Sequence, residues 1–177
     1  MKRIISLMLV AVLILGTVTS CGSELSNENK ELLTASLSEI TDQIIEKNPD
    51  EIQGEKKEID LADKSEEGQW LRESNLGLKD VSKVKEAVVY EPMIGSIAFS
   101  MVLVRVNDSD DAEAIAKEMK ENINPSKWVC VGADDIQVVG YGDVVMFIML
   151  DSRLDMSTNS YVNAFKEICG SNFDFTI

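Results

Sequence analysis

The fold is decided by the segment Ile136–Leu150, whose sequence is IQVVGYGDVVMFIML. Its second half, Val144–Leu150, is an unbroken run of seven apolar residues behind a glycine-containing turn, which favours a strand over a helix. A strand that is apolar on both faces is buried on both faces, so we expect this one in the middle of a sheet. Gly140 and Gly142 allow positive φ angles and predict a tight hairpin to the preceding strand.

A similar strand pair lies earlier in the chain. Val84–Glu91 and Ile97–Val106 both show the alternation of a strand, and a proline-containing turn separates them. The period of two predicts that Val84 lies on the same face as Val88 and Tyr90.

Each strand pair is followed by a helical pattern. Apolar residues recur at helical spacing in two segments: Ala112, Ile115, Ala116, Met119 and Ile123, and then Tyr161, Ala164, Phe165 and Ile168. Asn124-Pro125 ends the first helix and Gly170 is placed to cap the second. The strand-strand-helix unit therefore occurs twice. We predict an α+β domain over residues 69–177, with an antiparallel sheet and helices packed on it.

Two interpretations compete for the polar stretch Asn107–Glu113 before the first of these helices. It gathers side-chain oxygens as a calcium loop does, but it lacks the glycine that such a loop needs at its sixth position. The spacing of Asp110 and Glu113 instead fits a capping box. We therefore expect a helix cap, and we expect neither a metal nor a cofactor.

Residues 21–68 are predicted to form an acidic tether that carries one helix before the globular domain. The helix is indicated by four apolar residues on one face: Leu33, Leu37, Ile40 and Ile44. Pro49 ends it, because the residue before a proline avoids the helical region. Residues 51–68 show little periodicity and many charges, which is typical of a solvated linker.

Residues 1–20 have the layout of a secretory signal peptide. Two basic residues precede the apolar run Ile4–Leu15, which has about 12 residues, whereas a membrane-spanning helix needs about 20. Val18-Thr19-Ser20-Cys21 then resembles the lipobox of bacterial lipoproteins. That resemblance implies that Cys21 becomes the first residue of the mature chain and carries a diacylglycerol on the extracytoplasmic face of the cell membrane. A plain signal peptide with an incidental cysteine is the alternative.

Composition excludes several classes of function. The chain has 31 acidic and 17 basic residues, a formal charge of −14, and no histidine. Proteins that bind nucleic acid neutralise phosphates with basic side chains, so nucleic acid is not expected as a partner. Without histidine, Ser-His-Asp and Cys-His arrangements and imidazole zinc sites are impossible.

The arrangement of the whole chain is similar to one family. Val88–Met93 (VVYEPM) and Val104–Asp108 (VRVND), set in two strand-strand-helix units behind a lipobox and an acidic tether, resemble the domain-of-unknown-function 4358 family of bacterial lipoproteins. The resemblance covers about residues 70–169. The chain departs from the family pattern at Val131–Asp134, where members tend to have a Tyr-x-Pro-like step. The resemblance implies an α+β fold and an envelope location. The family has no assigned activity, so the resemblance adds nothing about mechanism.

Two groups of residues are candidate sites. Asp134, Asp135 and Asp143 adjoin predicted turns and could form a carboxylate cluster, since glycosidases use carboxyl pairs about 5 or 7–9 Å apart. Aspartate is also common in turns for local reasons. Cys130 and Cys169 are either bridged, as an oxidising location allows, or separate thiols in the core, and we expect them on neighbouring elements.

A binding or protein-interaction module is the favoured function, because no nucleophile-base pair is visible. Its partners would be the membrane, through Cys21, and an envelope protein or cell-wall ligand. The alternatives are a cell-wall glycan hydrolase that uses Asp134, Asp135 or Asp143, and a purely structural lipoprotein. A carboxylate pair in a cleft would favour the hydrolase, and an exposed apolar patch would favour the module.

The Cys21→Ala substitution is expected to abolish lipid attachment, because the acyl groups are carried by that thiol. Metabolic labelling with a clickable fatty acid measures this, with Cys130→Ala as the matched cysteine control. Label that persists on Cys21→Ala would show that the anchor lies elsewhere.

Overall fold

The computed structural model describes residues 32–49 and 51–177. The helices are α1 (Leu37–Glu46), α2 (Glu66–Leu76), α3 (Ala112–Asn122) and α4 (Thr158–Cys169); the strands are β1 (Glu55–Glu58), β2 (Val84–Glu91), β3 (Phe99–Val106), β4 (Asp135–Tyr141), β5 (Val144–Leu150) and β6 (Phe175–Thr176). The predicted signal peptide 1–20 and Cys21 lie outside the described residues. Within the described part of the chain, no helix is long and apolar enough to cross a membrane.

The strands form one antiparallel sheet of six strands in the order β1-β2-β3-β5-β4-β6. The predicted α+β class is confirmed, and both strand-strand-helix units are present as β2-β3-α3 and β4-β5-α4. β5 pairs with β3 on one side and β4 on the other, and all its residues are buried, as its apolar run predicts.

Helices cover both faces of this sheet. On the first face, α1 and α4 pack on residues that include Met101, Met146 and Ile148. On the second face, α3 and the end of α2 pack on Val102, Phe147 and their neighbours. The two apolar layers follow from the period of two in β3 and β5, which sends successive side chains to opposite faces.

The two repeated units place their helices on opposite faces, and the handedness of chain crossovers explains why. α3 connects β3 to the parallel strand β4, and α4 connects β5 to the parallel strand β6. Both connections step the same way across the sheet, but β3 and β5 run in opposite directions. Crossovers of the usual right hand must then use opposite faces. The two units therefore share the order of their elements, but they are not related by symmetry.

The hairpin between β4 and β5 has the predicted tight turn. Gly142 adopts φ +56, which L side chains rarely adopt. Gly140 meets a different requirement, because a Cβ there would lie 2.1 Å from the ring atom Cζ of Phe175. The absence of a side chain at Gly140 lets the C-terminal strand β6 lie against β4.

Val84 lies on the opposite face from the prediction. The β2–β3 register shifts between Val84 and Glu86, so Val84 packs in the second layer, while Val88 and Tyr90 pack in the first. An extra residue in one strand reverses the side-chain alternation beyond it, and a period of two read from sequence does not show it.

The structured domain begins earlier than the predicted boundary at residue 69. α1 contributes Leu37, Ile40 and Ile44 to the first core layer, and β1 pairs with β2 inside the predicted tether 21–68. β1 was missed because it reads EKKE, and charged residues are typical of a strand at the edge of a sheet.

The predicted capping box at Asp110 and Glu113 is wrong. A short 3₁₀ turn, Ser109–Asp111, precedes α3, and the carboxylate of Asp108 accepts from the backbone N–H of Asp110. Asp111 precedes α3 without a side-chain cap. A capping box does form at α1, where Ser36 and Glu39 bond reciprocally. Sequence spacing alone does not separate a helix from a preceding 3₁₀ turn.

A buried arginine fastens the N-terminal segment to the sheet. Arg105 of β3 is 7% exposed and donates to the carbonyl oxygens of Leu33 at 2.7 Å and Ala35 at 2.6 Å. Its guanidinium also pairs with Asp143 at 3.3 Å and with Glu86 at 3.4 Å. Glu86 in turn accepts from the backbone N–H of Leu37 at 2.8 Å. This cluster fixes where the chain joins α1.

Arg105→Met is expected to lower the free energy of unfolding by about 2–3 kcal/mol, because two carbonyl groups and two carboxylates lose a buried partner. Urea denaturation measures the loss. Lys117→Met is the control, since it removes an exposed pair with Glu113 and is expected to cost about 0.5 kcal/mol or less. An Arg105→Met protein as stable as the control would contradict the role of this cluster.

Candidate functional site

The two ends of the sheet differ in what they present. One end, which we call the hairpin end, holds Gly142, Asp143 and the Arg105 cluster, and there the described chain starts beside Gly142 at Leu32. The other end, the groove end, holds the loops 92–98 and 123–134. The eight residues of β3 separate the two ends by about 26 Å.

An open groove of about 370 Å³ lies at the groove end, on the second face. β1, β2, α2 and the two loops supply its lining: Glu55, Lys57, Trp70, Leu71, Ser74, Asn75, Val89, Glu91, Pro92, Met93, Lys127 and Trp128. The chain has two tryptophans, and both line this groove. Its volume lies within the range of small-molecule sites, about 300–1,000 Å³.

Trp70 faces solvent because α2 is fixed by its opposite side. Gly68, Arg72 and Leu76 recur every four residues and are buried, and Arg72 donates to the carbonyl oxygens of Asp63 and Asp60. A helix turns by about 100° per residue, so Trp70 lies about 200° from Arg72. Its side chain is accordingly 65% exposed.

Lys127 organises the floor of the groove. Its ammonium donates to Glu91 at 2.5 Å and, at longer range, to Ser100 at 3.4 Å and Asn75 at 3.5 Å. It also lies 5.5 Å from the ring centroid of Trp128, a cation–π distance. One side chain thereby connects α2, β2, β3 and the loop that carries Trp128.

Apolar side chains continue from the groove onto the tips of the two loops. Met93, Ile94 and Val129 are 78%, 60% and 69% exposed. The loops are joined, because the backbone N–H of Val129 donates to the carbonyl of Gly95 at 3.0 Å. With Trp70, these residues are four of the five large apolar side chains exposed in the described chain. Such a concentration of exposed apolar surface is typical of a binding site.

The three aspartates predicted as a cluster are not together. Asp134 accepts from the N–H and hydroxyl of Ser152 at 2.7 and 2.8 Å, and Asp135 accepts from the N–H and hydroxyl of Thr158 at 3.0 and 2.7 Å. Asp143 pairs with Arg105 at the hairpin end, beyond the seven-residue strand β4, about 24 Å away. The predicted acid cluster is therefore wrong, since these carboxylates hold turns and a helix start.

The chemistry of Asp134 also argues against an acid role. Hydrogen bonds from the backbone and hydroxyl of Ser152 lower the pKa of Asp134. A general acid at neutral pH needs the opposite shift.

Tyr161 is another titratable residue to consider as a functional group, because its hydroxyl is buried and has no hydrogen-bond partner among the described residues. Burial raises the pKa of Tyr161, and the Glu51 carboxylate raises it further. Its ring packs 5.1 Å from that of Phe99 in the first core layer. It is a core residue that stays protonated.

One pair of carboxylates does lie in the groove. Glu55 and Glu91 are directly opposite in the β1–β2 register, which places their Cβ atoms about 5 Å apart. Glu91 is already committed to the ion pair with Lys127. Within residues 32–49 and 51–177, no group of three or more His, Cys, Asp or Glu side chains is placed to hold a metal ion.

Cys130 and Cys169 are not bonded to each other: Cys130 is exposed and Cys169 is buried. Cys130 follows Val129, whose backbone N–H donates to the carbonyl of Gly95 at the groove end. Cys169 is the last residue of α4 and lines a cavity at the hairpin end with Leu32 and Tyr141. A bridge requires Cα atoms within about 7 Å, so the expectation that this unit brings the two cysteines together is not met.

Sequence reasoning missed the groove. Trp70 lies in α2 and Trp128 in the loop 123–134, far apart in the chain, and β1, which supplies Glu55 and Lys57, was read as linker. Trp128 precedes the apolar residues Val129–Val131 and gave no signal, but Trp70 stands in a polar, charged segment. Aromatic residues in such surroundings are enriched where proteins bind ligands.

No family model, curated protein or solved structure matches this chain. The similarity to the lipoprotein family, on Val88–Met93 and Val104–Asp108, stays a prediction from those residues.

Proposed function

We propose that this protein is a lipoprotein held by Cys21 at the outer face of the cell membrane, and that its groove binds a component of the cell envelope. The lipobox-like Val18–Cys21 supports the anchor. The Trp70–Trp128 groove supports the binding role, and it is the observation that carries the proposal.

Leaving a tryptophan side chain exposed to water is unfavourable, because burial of its large apolar surface would stabilise the protein. Trp70 is nevertheless held outward by a buried arginine and a capped helix, and Trp128 lines the same groove. Aromatic side chains in a concave site are how proteins obtain much of their binding energy from few residues.

The position of the groove supports a ligand in the envelope rather than the anchoring membrane. The described chain begins at the hairpin end, next to Gly142 and Arg105. The groove and the apolar loop tips lie at the other end of the sheet. An anchor that precedes Leu32 leaves this end available to molecules beyond the membrane surface.

Hydrolysis of a glycan is less well supported than binding. Asp134, Asp135 and Asp143 each accept local structural hydrogen bonds or ion pairs. In the groove, Glu91 forms an ion pair with Lys127. Of the two neighbouring carboxylates Glu55 and Glu91, only that of Glu55 is therefore outside this ion pair. Retaining and inverting glycosidases both need two.

Trp70→Ala is expected to weaken binding to the envelope by roughly tenfold, as the loss of a central tryptophan does in other binding sites. The full-length protein in detergent is sedimented with purified cell-wall sacculi that keep their attached polymers and proteins, and the bound fraction is measured against concentration. Leu32→Ala is the matched control, because Leu32 is 51% exposed at the hairpin end.

Urea denaturation of both variants should give the wild-type midpoint, because both side chains are largely solvent-exposed. Equal binding by the wild type and Trp70→Ala, or equal losses in Trp70→Ala and Leu32→Ala, would contradict a binding role for the groove.

A further inference from the structure

We infer that the ligand of the groove is a neutral glycan segment, an inference that rests on the proposed binding function. Four features of the groove favour such a ligand: the charges of its lining, the polar groups beside the tryptophans, its size and its β1 edge.

The lining is balanced in charge. It carries the carboxylates of Glu55 and Glu91 and the ammonium groups of Lys57 and Lys127. Lys127 and Glu91 neutralise each other directly at 2.5 Å, and Glu55 and Lys57 are neighbours on the same face of β1. A ligand that complements such a lining is uncharged, because an ionic ligand would leave charge unpaired on one side.

The surface around the groove excludes polyanions. Glu66 and Glu67 stand in the first turn of α2, four and three residues before Trp70, and so on its side of the helix. The chain as a whole has a formal charge of −14. Phosphate-rich polymers of the envelope are therefore repelled from this end of the domain.

The polar groups suit a ligand that is apolar on its faces and hydroxylated at its edges. Trp70 and Trp128 offer flat apolar surfaces, and Glu55, Ser74 and Asn75 are polar groups in the same lining. Ser74 and Asn75 each donate one hydrogen bond to the carbonyl of Leu71, which leaves the lone pairs of the Ser74 hydroxyl and the second N–H of the Asn75 amide for a ligand. A sugar ring presents C–H groups on its faces and hydroxyl groups around its rim. A sugar ring in the groove would contact the tryptophans through its faces and would form hydrogen bonds through its rim at the same time.

An extended peptide fits less well. It would be recognised by adding a strand to the free edge of β1, but β1 is four residues long and consists of Glu and Lys only. Short, charged edge strands are the usual protection against strand addition. A folded protein partner normally contacts about 20–30 residues per side, whereas twelve residues line this groove.

Titration of the full-length protein in detergent with chitotetraose, a neutral oligomer of N-acetylglucosamine, tests the inference. Both tryptophans line the groove, so their fluorescence reports occupancy directly. We expect a saturable change in emission in the wild type and in Leu32→Ala. Trp70→Ala is expected to bind roughly tenfold more weakly, read from the remaining Trp128 emission and from calorimetry.

Polyglycerol phosphate and a neutral leucine-rich heptapeptide serve as comparison probes. Each of the three probes is also tested for its ability to displace the protein from sacculi. If chitotetraose displaces the protein from sacculi and the other two probes do not, the result supports a neutral glycan as the ligand. If the sacculi bind in a Trp70-dependent manner while chitotetraose neither binds nor competes, the glycan inference is overturned and the proposed binding function stands. If neither the sacculi nor any probe binds, both are overturned.

Discussion

The burial of β5 on both faces is the constraint on which the rest of the structure depends. Val144–Leu150 places seven apolar side chains on two sides of one strand, and burying each contributes about 1.5–3 kcal/mol. One helix layer satisfies half of that requirement. The first layer is supplied by α1, from a part of the chain that precedes the sheet, together with α4. The second layer is supplied by α3 and the end of α2. The right-handed crossovers from β3 and β5 then distribute α3 and α4 to opposite faces.

This arrangement places the proposed attachment and the proposed binding site at opposite ends of the sheet. At the hairpin end, Arg105 binds the backbone of residues 33 and 35 and so fixes the direction from which the N-terminal segment reaches the sheet. At the groove end, Lys127 fixes Trp128, Glu91 and α2 around an open site. Both clusters use one buried or half-buried cation to join elements that are distant in sequence. A domain tied down at one end and open at the other is suited to bind a ligand away from its anchor.

The sequence predicts what depends on local periodicity. The strands β2 to β5, the hairpin at Gly142 and the helices α1, α3 and α4 all follow from runs of apolar residues and their turn signals. It does not predict β1, because an edge strand of Glu and Lys has no apolar pattern, nor the register shift that reverses Val84. The groove requires knowing that β1 pairs with β2 and that α2 lies over them. The prediction that Asp134, Asp135 and Asp143 form a cluster was wrong because a position beside a turn does not show at which end of the strand that turn lies.

The central claim is that the Trp70–Trp128 groove faces away from the anchoring membrane and is open to water-borne ligands. The most direct measurement is tryptophan fluorescence of the lipidated protein in vesicles, quenched either by brominated acyl chains or by acrylamide. Because both tryptophans line the groove, the emission reports this site alone. The account predicts strong quenching by acrylamide and none by the brominated lipid. Quenching by the lipid-borne bromine would place the groove against the bilayer and contradict the account.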